Sequence, residues 1–117
     1  MSAPLESYLR TYRKRSGLSQ EEVAFLIGAA NGVNVARHEQ LDRQPDLPTA
    51  LAYEIIFRAP VRELFAGLYQ KVEAEAIARA RSLADGLSSS GASPLTLRKI
   101  LALQSLSAPA TAGSLPS

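Results

Sequence analysis

The chain of 117 residues contains no cysteine and a single histidine, His38. The first absence excludes disulfides, thiol catalysis and any zinc site that needs thiolates, and it suits a reducing compartment such as the cytoplasm. One histidine, with no second ligand pattern around it, points to packing or surface rather than to metal binding or acid–base chemistry. Strong net charge is also missing, since 13 basic and 11 acidic residues leave only +2. Up to Phe65 the charges cancel, so any affinity for nucleic acid must come from placement of charge rather than its amount. No apolar run approaches the roughly 20 residues of a membrane-spanning helix, and Met1 to Glu6 lacks a basic start followed by an apolar stretch, so neither a membrane span nor a secretory signal is expected. Alternating strand patterns and internal repeats are absent too. Paired acids at Glu21-Glu22 and Glu73/Glu75 have no nucleophile or histidine partner, and no phosphate-cradling loop is present. The expectation is a protein that is not an enzyme and has no cofactor or metal.

What the chain does contain is helical periodicity. Apolar residues make up 46% of it, enough for a core. Leu5, Tyr8, Leu9 and Tyr12 predict a first helix over residues 5–15, closed by Ser16-Gly17, where glycine takes the left-handed turn that ends helices cheaply. Ser19-Gln20-Glu21-Glu22 has the form of a capping box. The helix it opens, 20–27, is predicted to bury Val23, Ala24, Leu26 and Ile27. Gly28 to Gly32 is a tight turn of small residues, with Asn31 as N-cap of a third helix over 32–40. Residues 41–48, with two prolines, form a loop. A fourth helix follows Pro48 with Leu51, Ala52, Ile55 and Ile56 inward. Ala59-Pro60 breaks it, and from Val61 an apolar stripe continues for several turns, weakened near its start by Gly67. Residues 86–94 read as a flexible linker, 95–106 as a C-terminal helix, and 107–117, rich in Ala, Pro and Ser, as a disordered tail.

Two short helices joined by a glycine-containing turn form a helix-turn-helix. The steep crossing requires a small inward residue on the first helix, here Ala24. The chain reversal favours glycine, here Gly28. The second helix must bury one aliphatic residue in the angle, and Val35 fits. With these pieces in place, the text LRTYRKRSGLSQEEVAFLIG, then VARHE, then a proline-containing loop and a helix ending in PVRELF, resembles the Cro/C1-type (XRE-type) helix-turn-helix regulators. The resemblance covers residues 5–65. The turn after Gly28 is one residue longer than the family's spacing, which puts Val35 rather than Asn34 in the buried slot. Gln40 stands where the family commonly has glycine.

The resemblance implies an all-α fold: a five-helix repressor-type DNA-binding domain over 5–65 with a C-terminal helical extension over 66–85. It implies that the third helix enters the major groove of double-stranded DNA. The residues expected at DNA are Gln20, Asn31, Gly32, Val33, Asn34, Arg37 and Arg43. Asn34 suits an adenine edge and Arg37 a guanine, whereas Gln20 and Arg43, with Arg10, suit phosphates. Arg13 and Glu39 are implied to form a structural salt bridge between the first and third helices. The function implied is transcriptional regulation, as a repressor acting as a homodimer. The stripe Leu68, Val72, Ile77 and Ala80 reads equally as the dimer surface or as a face packed onto its own domain. The alternative is a protein-interaction module, such as an antitoxin whose C-terminal helices mask a toxin.

Overall fold

The computed structural model describes residues 5–91 and 93–107, and these contain seven helices and no strand. They are α1 (Leu9–Ser16), α2 (Gln20–Ile27), α3 (Gly32–Gln40), α4 (Leu47–Phe57), α5 (Val61–Leu64), α6 (Ala66–Ser88) and α7 (Pro94–Ser105). The all-α class follows directly. No described helix is long and apolar enough to cross a membrane. The chain divides into two compact units after Lys71, inside α6.

In the first unit, α1 to α5 surround a core of Leu9, Val23, Ala24, Val35, Tyr53, Ala59, Leu64 and Phe65. Leu9, Val23, Val35, Tyr53 and Leu64 are sealed from solvent completely, each worth about 1.5–3 kcal/mol of transfer free energy if its side chain is of Val, Leu or Phe size. Local signals in the sequence set most helix ends. Gly17 and Gly28 adopt left-handed φ of 81° and 75° at the ends of α1 and α2. Ser19 Oγ accepts from the Glu22 amide at 3.0 Å, and the Glu22 carboxylate accepts from the Ser19 amide at 2.8 Å, so the capping box is formed.

Four expectations are corrected in this unit. Helix α1 begins at Leu9, not Leu5, because the preceding segment pairs elsewhere. The Tyr8 amide donates to the Leu64 carbonyl at 2.7 Å, and the Gly67 amide donates to the Leu5 carbonyl at 2.9 Å. Gly67 makes this possible, since a Cβ there would stand 2.6 Å from the Leu5 carbonyl oxygen. Helix α4 starts at Leu47, one residue before Pro48, with the Asp46 carboxylate accepting from the Thr49 amide at 2.9 Å. Its buried face is Ala50 and Tyr53, while Leu51 and Ile55 face solvent. Leu26 of α2 is likewise exposed, and so is Phe25.

The second unit is thinner. Ala80 and Ala84 are its buried residues, with Ile77 and Leu87 half-buried on α6 and Thr96, Ile100 and Leu103 half-buried on α7. These positions recur at helical spacing, so each helix turns one stripe from solvent. Helix α6 runs through Asp85-Gly86 to Ser88, beyond the expected linker boundary. The Ser88 hydroxyl donates back to the Ala84 carbonyl at 3.0 Å, inside the helix. The proposed dimer stripe is divided: Leu68 packs on the first unit's core and Ala80 is buried, leaving Val72 exposed. The expected disordered tail, apart from Ser107, lies outside the described residues.

Candidate nucleic-acid interface

Helix α3 is two-faced. Gly32, Val35, His38 and Glu39 are buried, whereas Val33, Arg37 and Gln40 are exposed. The exposed residues stand at i, i+4 and i+7, one continuous outward stripe. Asn31 is exposed at the helix start and Asn34 is half-buried beside the stripe.

The inward face is locked by polar contacts as well as by packing. Glu39 receives the Arg13 guanidinium through Nε, and the second guanidinium nitrogen donates to Oε1 at 3.3 Å. A third nitrogen of Arg13 donates to the Leu18 carbonyl at 3.1 Å. Gln20 Nε2 also donates to Glu39 Oε1, at 3.1 Å. Thus α1, the α1–α2 turn, α2 and α3 meet at one buried carboxylate. Breaking such a pair from one side leaves an uncompensated charge, a loss of about 3–5 kcal/mol.

A second lock holds the start of α3. The Glu21 carboxylate accepts from the Gly32 amide at 2.7 Å, and Asn31 Oδ1 accepts from the Val33 amide at 2.9 Å. A Cβ at position 32 would lie 2.7 Å from that carboxylate oxygen and 3.2 Å from the Gln20 carbonyl carbon, so a larger residue would push the Glu21 carboxylate off the Gly32 amide.

The third lock is His38, whose Nδ1 lies 2.6 Å from the Tyr53 hydroxyl. Burial, aided by Glu39, pushes the Tyr53 hydroxyl well above its usual range, so it stays protonated. The hydroxyl and Nδ1 share one proton across this contact, and the imidazole tautomer sets which of them donates. Burial also lowers the His38 pKa, opposed by Asp46 and assisted by Arg43. The expectation of a packing histidine agrees with this setting.

These contacts redistribute the residues expected at DNA. Arg37, Val33 and Arg43 are exposed, and Asn31 combines exposure with its capping role. Gly32 is buried with its amide occupied by Glu21, so it is a packing residue and offers no phosphate a free N–H. Gln20 is half-buried and braces Glu39. Asn34 lines a polar groove with His38, Arg43, Gln44, Asp46 and Thr49. Of the basic cluster on α1, Arg13 is buried, while Arg10, Lys14 and Arg15 are exposed cations, Arg15 lying 5.5 Å from the Tyr12 ring centroid.

No family profile, characterised protein or solved structure matches this chain. The interface therefore rests on the residues themselves. Sequence reasoning missed Gln40 as part of the outward stripe, although its spacing from Val33 and Arg37 follows once Val35 is placed inward. It also missed Glu21 as a cap for α3, a contact between residues eleven apart that no local pattern announces.

Proposed function

We propose that the chain is a sequence-specific DNA-binding regulator of the Cro/C1 type, with residues 5–65 as a five-helix repressor-type domain. In this reading α2 and the turn position α3, and α3 enters the major groove as the recognition helix. The observation that carries it is the division of α3: an inward face locked by the Arg13–Glu39 pair, and an outward stripe of Val33, Arg37 and Gln40 with nothing of its own unit over it. A rigidly held helix with one solvated polar stripe suits base readout, because ordering it on the duplex loses little further entropy.

The residue chemistry supports roles for each. Arg37 can give guanine two parallel hydrogen bonds, and the Val33 methyls suit contact with a thymine methyl. Gln40 adds an amide that both donates and accepts. Arg43 in the loop after α3, together with Arg10, suits phosphates and would position the domain without reading sequence. Gln20 acts through Glu39 as a brace. One such helix reads only a few base pairs, so operator recognition calls for two copies on paired half-sites.

Selection from random duplexes at a stated salt concentration tests the reading. A preferred site should emerge, and Arg37→Ala should weaken binding to it by about 1–3 kcal/mol while relaxing base preference. Arg43→Ala should weaken all sequences alike and reduce the salt slope by about 1. A sample with no preference among duplexes, or an Arg37→Ala variant that binds like the parent, would defeat it.

A second reading, a protein-interaction module of the antitoxin kind, draws on α7, where Leu95, Leu97, Leu101 and Leu106 are exposed. Leu101→Glu separates the two. It leaves affinity for the selected site intact under the first reading and abolishes partner binding under the second.

A further inference from the structure

Helices α2 and α3 and the loop before α4 surround one groove of about 350 Å³. Asn34 and His38, four residues apart and so on one side of α3, form part of its lining. Arg43 and Asp46 line it from the loop, and Ile27 and Gly28 line it where α2 ends. Two features mark this groove. First, His38 is only 7% exposed and its Nδ1 is taken by the Tyr53 hydroxyl, yet Nε2 has no hydrogen-bond partner among the described residues. No buried polar side-chain atom among those residues lacks a partner, so Nε2 meets solvent, and the groove is where His38 does so. Second, Arg43 and Asp46 carry opposite charges in one loop and line one groove without pairing. Among the described residues Arg13–Glu39 is the one salt bridge. Asp46 stays ionised, because its contacts with Thr49 hold the carboxyl below the usual carboxylate range.

We propose that this groove binds a small zwitterion of free amino-acid size, its carboxylate on Arg43 and its ammonium between Asp46 and the end of α2. The planar fork of an arginine matches a carboxylate with two parallel hydrogen bonds. An ammonium gains from the Asp46 carboxylate and from the partial negative charge of a helix C-terminus, here at Ile27 and Gly28. A bare anion would face Asp46 and a bare cation would face Arg43, so a molecule carrying both charges suits the groove better than either. The volume stands at the low end of the range for small-molecule sites, about 300–1,000 Å³, which favours an amino acid over a nucleotide. His38 Nε2 and the Asn34 amide, which between them can donate and accept, then select among side chains. Binding is a property of the protein without DNA, so its failure would leave the role of α3 on a duplex untouched.

Because His38 is the only histidine, the imidazole nitrogens of the isotope-labelled full chain give a single set of NMR signals. The standard L-amino acids are titrated singly, at constant pH and up to millimolar concentration, with acetate, methylammonium and orthophosphate as controls of one charge sign. At least one amino acid should move the Nε2 signal saturably, and the three controls should not. Asp46→Asn keeps the helix cap but removes the charge, and Arg43→Gln removes the opposite one. With circular dichroism unchanged, each should weaken binding about tenfold or more, as expected when a hydrogen bond to a charged group is lost. Arg58→Gln, at the other end of α4, should leave it alone. No response to any amino acid, an equal response to one of the three controls, or binding indifferent to both Asp46→Asn and Arg43→Gln would overturn the proposal.

Discussion

In the unit ending at Lys71, eight buried residues, Tyr53 and Leu64 among them, close into one core, and three polar locks fix α3 against it. In the unit beginning at Val72, the buried residues are Ala80 and Ala84, while the leucines of α7 largely face water. Both regions are helical, and their sequences look similarly apolar. Helix formation therefore says little about how firmly a region is held. Firmness follows burial of bulk and the pairing of buried polar groups, both concentrated in the first unit.

Breaking that comparison begins with its strongest element. Glu39→Ala should strand Arg13 in the core and lower stability by about 3–5 kcal/mol in chemical denaturation, whereas Arg13→Met with Glu39→Leu together should recover much of the loss. Gly67→Ala should be the next most severe. Its methyl group would collide with the Leu5 backbone, costing about 1–3 kcal/mol and loosening the segment before α1, as followed by amide hydrogen exchange. Tyr53→Phe should lower stability by about 1–3 kcal/mol, because the buried Nδ1 of His38 loses its hydrogen-bond partner.

The same pair predicts a pH effect. Burial depresses the His38 pKa, so below the ordinary imidazole value near 6.5 the unfolded chain takes up protons that the folded chain resists. Stability should fall as pH drops below that value towards the depressed one, and be fully present above it. His38→Gln should flatten that part of the curve while leaving the acid limb of the carboxylates. At the weak end of the comparison, Leu101→Ser on α7 should change stability by no more than about 0.5 kcal/mol. A larger loss would mean that the second unit is better packed than its exposed leucines imply.

How much was legible beforehand depends on the range of each interaction. Helices α2 and α3 have the predicted bounds, because their caps are written locally: Ser19 with Glu22, Gly28 at a left-handed turn, Asn31 before Val33. The inward placement of Ala24 and Val35 followed from the steep crossing of two short helices. The face of α4 did not follow, since LPTALAYEIIF is apolar nearly all the way round and offers no periodicity to choose between Leu51 and Tyr53. Tyr53 faces inward where its ring stacks near Phe57 and Phe65 and its hydroxyl finds His38, and that choice turned Leu51 and Ile55 outward.

The outer stripe of α3 shows the same divide. Arg37 was identifiable as an outward cation from spacing alone. That the Gly32 amide is taken by Glu21 and that Gln20 braces Glu39 required tertiary contacts, and neither is a neighbour relation along the chain.

Helix type, most helix limits and the residues that end them were determined by the chain's own text, because capping and left-handed glycine act within four or five residues. Which face of α4 is covered, which amides of α3 are taken and where the segment before Leu9 pairs were decided only on folding. Those outcomes depend on which distant groups the folded chain brings within hydrogen-bonding or packing distance, and no local pattern carries that information.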